Sequence, residues 1–307
     1  MGEAGSLLKD KVVVVTGSGQ GIGRAIAVSF AAEGAKVITN SRKSGTAGGD
    51  AEVTAEDIKR IGGEAMPVFA DVSIFQDAEK IIGAAVSNFG RIDILVNNAG
   101  ADAPKMIWNM GEEEWDRCVD SLLKGSFNCS KFACGHMKDQ KWGRIINNTS
   151  TAWLGTVGHV NYGAAKAGIV GLTRAVAREM GRYGVTCNAF TPFASTRMTD
   201  NEAVKAGLKK RFESGIITRA QYEEGVNMPP PEGIAPLVSY LVSQKAADIN
   251  GQVFHIEAGK IGLYSEPTQI RTIYKDYEKE GFFSYEELEK FVPRMLMGVY
   301  TNPAPAK

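Results

Sequence analysis

No pair of cysteines in this 307-residue chain has the C-x-x-C spacing of a zinc or redox site. The four that exist, Cys118, Cys129, Cys134 and Cys187, show no disulfide framework. They read as reduced thiols in a cytoplasmic protein, with no metal centre. No apolar run reaches the roughly 20 residues that a membrane span requires. The N-terminus has no apolar segment of the secretory kind, and no repeat period is visible. Charge of either sign is not in excess: 35 Lys and Arg balance 35 Asp and Glu. That balance gives no argument for a nucleic acid or an anionic membrane as partner. Met1 to Ser6 fits the loose myristoylation pattern, a match short enough to be chance. What the chain does have is 44% hydrophobic residues, enough for a sizeable core.

The chain is organised around Thr16-Gly17-Ser18-Gly19-Gln20-Gly21-Ile22-Gly23. Four valines, Val12 to Val15, precede it and read as a strand buried on both faces. Ile22, Ala25, Ile26, Ser29 and Phe30 follow at helical spacing, so the glycines occupy a strand-to-helix turn. Glycine permits a tight turn and close approach of backbone to a ligand. The helix N-terminus beyond it suits a pyrophosphate. Strands are expected at residues 37–40, 67–70, 92–96, 144–147, 185–190 and 253–256. Helices are expected between them, including 50–61, capped by Asp50, and long ones over 112–137 and 160–182. Repeated β-α-β units predict a doubly wound parallel sheet with helices on both faces, with ligands held beyond the carboxyl ends of the strands.

Further motifs fall at those strand ends. Asn97-Asn98-Ala99-Gly100 follows the fourth strand, Thr149-Ser150 the fifth, and Tyr162-Gly163-Ala164-Ala165-Lys166 opens the long helix. Tyr162 and Lys166 are one turn apart on one face. A phenol titrates near 10, and lowering it by ~3 units takes about 4 kcal/mol. A lysine cation and the positive charge of an oxidised nicotinamide are the expected sources.

The four motifs in this order resemble the short-chain dehydrogenase/reductase family over roughly residues 7–260. The resemblance implies a Rossmann-like fold, a nicotinamide cofactor, a small alcohol or ketone substrate, and a homodimer or homotetramer. It implies Tyr162 as general acid/base, Lys166 as its partner and a grip on the nicotinamide ribose, and Ser150 as the group orienting the substrate oxygen. It implies cofactor contacts from Gly17, Ser18, Gly19, Gln20, Gly21, Ile22 and Gly23. Further contacts would come from Asp71 and Val72 beside the adenine, from Asn98, Ala99 and Gly100 beside the nicotinamide, and from Pro192 and Thr196. Two positions depart from the family: Phe193 stands where a glycine is usual, and Leu122 where an asparagine supports a helix kink and a proton relay. Ser121 is a candidate to rebuild that relay.

An acidic residue at the end of the second strand would select NAD(H). The chain has Ser41 there, followed by Arg42 and Lys43, and no acid before Asp50. NADP(H) is therefore expected over NAD(H), with Arg42 contributing most. Residues 199–231 are a candidate lid, and Trp108, Met110, Trp153 and Leu154 candidate pocket walls. Residues 261–307 form an extension beyond the 1–260 domain. In it Ser284-Tyr285-Glu286-Glu287 is a capping box, and the helix it starts has an apolar face to pack on its own domain or on another subunit. With the long loop 41–49 and Ile249-Asn250-Gly251-Gln252-Val253-Phe254, this tail resembles the branch containing the dehydrogenase domain of peroxisomal multifunctional β-oxidation enzymes. The expected activity is NADP(H)-dependent interconversion of a secondary alcohol and a ketone. The alternatives are an NAD-dependent 3-hydroxyacyl-CoA dehydrogenase and a catalytically weak nucleotide-binding subunit.

Overall fold

The computed structural model describes residues 7–215, 217–299 and 301; the Met1–Ser6 pattern lies outside them. Strand and helix alternate as the apolar periodicity requires: β1 Val12–Val15, α1 Gly21–Ala32, β2 Lys36–Ser41, α2 Ala51–Arg60, β3 Glu64–Phe69, α3 Phe75–Phe89 and β4 Ile94–Asn97. Then come α4 Glu112–Val119, α5 Gly125–Gln140, β5 Gly143–Asn148, α6 Val160–Met180, β6 Val185–Pro192, α7 Glu202–Glu213 and α8 Arg219–Val226. The first unit closes with α9 Ala235–Val242, β7 Val253–Glu257 and β8 Lys260–Leu263. The sheet order is β3-β2-β1-β4-β5-β6-β7-β8. All neighbours are parallel except β7 and β8. β1 and β4 are buried on both faces. Separate apolar clusters pack α1 and α9, and α3 and α5, against the sheet. The order reverses between β1 and β4, which opens a crevice beyond their carboxyl ends.

Three elements differ from the sequence expectation. Pro67 lies inside β3 rather than at its start. The strand tolerates a residue without an N–H because β3 is the sheet's edge. The single helix expected over 112–137 is two, joined by a π-turn at Asp120–Lys124. And Ile261 to Leu263, read as the start of a tail, complete the sheet: Ile256 pairs with Ile261 and Phe254 with Leu263. Tyr264 follows and packs edge-on against Trp153, ring centroids 5.5 Å apart. Trp153 thereby packs against a core of Val170, Ala189 and Val253.

The chain divides into two compact units, Met1–Tyr264 and Ser265–Lys307. In the second, α10 spans Tyr277–Glu280 and α11 Tyr285–Phe291. Ser284 and Glu287 form the expected capping box. Lys275 Nζ donates to Glu287 Oε2 at 2.7 Å and to the Phe282 carbonyl at 3.2 Å, and the Tyr277 and Phe282 rings stack. Among the described residues no helix is long and apolar enough to cross a membrane.

Candidate active site

The glycine turn is held from behind by asparagines and threonines. Gly17 has φ +61°, and a Cβ there would lie 2.7 Å from Ala99 Cα. A Cβ on Gly23 would lie 2.4 Å from the Gly17 carbonyl and 2.5 Å from Asn98 Nδ2. Both positions therefore exclude any side chain, and the turn sits tight against the loop after β4. Asn98 Nδ2 donates to the carbonyls of Thr16 and Gly17, each at 3.1 Å. Thr16 Oγ1 accepts from the backbone of Asn98 and Ala99. Asn40, at the end of β2, accepts from Gly17 N and donates to the Val68 and Ala70 carbonyls. Ser18 turns inward: buried, its hydroxyl accepts from Asn40 N at 2.8 Å. That side chain is not offered to a cofactor, contrary to expectation.

In front of the turn lies a cavity of about 690 Å³. Gly17, Gly19, Gln20, Gly21 and Ile22 line its centre. Asp71 and Val72 line one side, and Asn98, Ala99 and Gly100 with Thr196 the other. Arg42, Lys43 and Arg197 bring three cations to its wall, where Asp71 is the sole acid among the described residues. The first turn of α1 carries no acidic residue and no side-chain cap, which leaves its N–H groups for an anion. Cradle, cations and uncapped helix fit a dinucleotide. Ser41 also lines the cavity, but its hydroxyl donates to the Lys43 carbonyl and accepts from Ala51 N. Asp50 caps α2 as expected; its carboxylate accepts from Gly45, Glu52 and Val53 N–H, which hold it below the usual carboxylate range.

Pro192, Gly23, Ser150, Tyr162 and Lys166 lie outside that cavity's lining. Pro192 continues β6 into register with Ile256, and Phe193 N donates to the Ile256 carbonyl at 2.9 Å. Phe193 therefore prolongs the sheet instead of crowding the cavity. Ser150 follows β5 and accepts from Ala152 N. Tyr162 and Lys166 stand on α6, with Lys166 Nζ 5.5 Å from the Tyr162 ring centre. Lys166 Nζ donates to the Asn148 carbonyl at 2.6 Å. Burial dominates both ionisations. It pushes the Tyr162 phenol up to about 12, opposed by a hydrogen bond with Ser150. It pushes Lys166 down to about 7, opposed by the negative charge of Asp102. The expected depression of Tyr162 by the lysine cation is thus outweighed by the dry surroundings that both groups share.

Leu122 is buried with Ala103, Cys118, Ala165 and Ile169. Its carbonyl accepts from Ser126 Oγ at 2.6 Å, and the helix deviates at the π-turn without an asparagine there. Ser121, the candidate to rebuild the relay, is already hydrogen-bonded. Its hydroxyl donates to the Arg117 carbonyl and accepts from Ala101 N, so its proton is committed to the helix. Trp108 and Leu154 are mostly exposed. The sequence reading missed Asn148, whose signal was its place just before Thr149-Ser150. It also missed Asp102 and His159, which match no motif.

The short chain dehydrogenase profile matches residues 11–206. A peroxisomal multifunctional enzyme type 2 of Drosophila melanogaster is 39% identical over 256 residues, which is 81% of this chain and 39% of that protein. The hydroxyacyl-CoA dehydrogenase ChsB1 of Mycobacterium tuberculosis is 37% identical, covering 88% of this chain and 84% of that one. The crystal structure of a short chain dehydrogenase from Mycobacterium avium superposes with a TM-score of 0.81 at 37% identity, covering 98% and 99% of the two chains.

Proposed function

The chain belongs to the short chain dehydrogenases and is an NAD(P)-dependent oxidoreductase acting on CH–OH groups; from that premise we propose that it interconverts a secondary alcohol and a ketone with NADP(H), Tyr162 serving as general acid/base. The observation that carries this reading is the hydrogen-bonded line joining the glycine turn to the lysine. Asn98 donates to Gly17 O, Asn148 Nδ2 donates to Asn98 Oδ1 at 2.9 Å, and Lys166 donates to Asn148 O. Cofactor cradle and Tyr162–Lys166 pair are thereby fixed to the same three strand ends.

When bound, the dinucleotide supplies or accepts the hydride. The chain does the rest. Gly17 to Gly23 and the first turn of α1 would hold the diphosphate, and Arg42 would hold a 2′-phosphate. Ser150 orients the substrate oxygen, and Tyr162 gives or takes the proton there. Lys166, its hold on the proton loosened by burial, stands 5.5 Å from the Tyr162 ring centre as the proton's next carrier. Tyr162→Phe removes only the phenolic oxygen. Turnover, followed by nicotinamide absorbance, should fall by more than ~10³-fold, while cofactor still binds. A variant retaining a tenth of the rate overturns the role.

NADP(H) preference rests on Arg42 and Lys43 at the cavity wall, with no carboxylate at the end of β2. Because the Ser41 hydroxyl is already committed, Arg42 carries most of the preference. Arg42→Leu should lower kcat/KM for NADP(H) by about tenfold or more, with little change for NAD(H). Adding Ser41→Asp should reverse the ratio. A wild type that already favours NAD(H) refutes the assignment.

A second reading, a 3-hydroxyacyl-CoA dehydrogenase, draws on the relative of that name and on exposed apolar residues Ile107, Trp108, Leu154 and Val157. A comparison of simple ketones with 3-oxoacyl-CoA thioesters discriminates the two.

A further inference from the structure

One ion pair near Tyr162 belongs to no motif. Asp102 lies in the loop after β4, two residues past Gly100, and His159 one turn before Tyr162. Three links join their two segments. Lys105 N donates to Gly158 O at 2.9 Å, and Asn161 Nδ2 donates to Ala103 O at 2.9 Å. His159 Nε2 lies 3.3 Å from Asp102 Oδ2. The second ring nitrogen, Nδ1, is 3.2 Å from the Val157 carbonyl. Two acceptors on one imidazole favour the doubly protonated ring. The ring also stands edge-on to Tyr162, centroids 6.1 Å apart. Asp102 Oδ1, by contrast, is buried with no hydrogen-bond partner among the described residues. A carboxylate oxygen out of contact with bulk solvent acts on its neighbours at longer range than an exposed one.

We propose that Asp102 and His159 form a charge-regulating pair for Tyr162 and Lys166: the Asp102 carboxylate biases the ionisation of both, and His159 is the titratable counter-ion that masks it. The proposal rests on the reading of Tyr162 and Lys166 as the working pair. These are positioning groups, which need touch neither substrate nor cofactor.

The surroundings set the signs. Asp102 favours the Lys166 cation and disfavours the tyrosinate. Asp102 also raises His159 above its ordinary value, against burial and the repulsion of Arg211 on α7. Lys105 is nearby but paired with Glu114 of α4. Cys118 and Ser150 face Tyr162 as well. His159 is therefore charged at low pH, and Asp102 is masked. As pH rises through the raised histidine value the mask is lost, and the bare carboxylate then holds the proton on Lys166 more firmly.

The test uses the full chain without substrate, with lysine labelled at 13Cε and the Lys166 resonance assigned by its loss in Lys166→Met. In Asp102→Asn the Lys166 midpoint should fall by ~0.5 unit or more. In His159→Gln it should rise, by less. In the double variant it should stay below wild type, as in Asp102→Asn, because without the carboxylate His159 has no negative charge to mask. The His159 C2–H titration, assigned by His159→Gln, should shift downward in Asp102→Asn. A Lys166 midpoint that Asp102→Asn leaves unmoved, or that moves the same way in both single variants, overturns the proposal. Should Asp102→Asn not fold, the rise in His159→Gln decides alone. None of these readouts needs turnover, so failure here is separate from failure of the Tyr162→Phe test.

Discussion

Lys166 is buried with its ammonium aimed at one backbone carbonyl, and the cost of that placement has a pH signature. Its folded value of about 7 lies below that of an unfolded lysine. Between about 7 and ~10.4 the folded chain binds fewer protons than the unfolded chain, so this group makes stability rise with pH across that window. Tyr162 acts above it: a phenol held at about 12 keeps its proton in the folded state only, so stability falls above ~10. Lys166→Met should flatten the rise and raise Tm at pH 7 by roughly 2–5 °C, while activity is lost. Calorimetry at pH 7 and pH 10 checks this; a Tm that drops equally at both contradicts it. Gly23→Ala makes the opposite kind of prediction. With 2.4 Å to a carbonyl there is no room for a methyl, so cofactor affinity should fall by more than ~10-fold as the turn is pushed from Asn98. Equilibrium titration with NADPH reads it.

Leu122 shows what an element can keep when a residue changes. The π-turn at Asp120–Lys124 persists, and the leucine fills a core with Cys118 and Ile169. Leu122→Asn places an amide in that apolar cluster. It should cost about 2–4 kcal/mol of stability without raising kcat, as denaturant melts and initial rates would show. Strands and helices around this point were legible because burial on two faces and one-sided burial leave different periods, as in Val12–Val15 against Ile22–Phe30. The positions of the motifs were legible because the glycine turn, Asn97 to Gly100 and Thr149-Ser150 each end a strand, while Tyr162 to Lys166 opens the long helix α6. The π-turn was not, since its bonds slip by one residue without altering the apolar pattern. Nor was β8, four mostly exposed residues with no alternation to read. The inward Ser18 and the committed hydroxyls of Ser41 and Ser121 depend on partners 22, 10 and 20 residues away, which local spacing cannot reveal.

For the whole molecule, the end of the sheet determines where the chain can be cut. Ending it at Tyr264 retains β8 and the Trp153–Tyr264 contact; ending it at Gly259 removes both and bares the β7 edge. The longer fragment should melt at least ~5 °C above the shorter one, and equal melting temperatures would show β8 to be inert. The asparagine line from Gly17 to Lys166 has a different consequence, one for sequence drift. It rivets β1, β4, β5 and α6 into a single frame, so a new substrate cannot be accommodated by adjusting the cofactor end and the proton-transfer end separately. Room for change is left to segments outside the rivets, at 101–110 and 199–231. In a saturation library selected on a new ketone, accepted substitutions should therefore gather in those two segments and spare Thr16, Gly17, Asn98, Asn148 and Lys166. Winners clustering on the asparagines would mean that the frame bends.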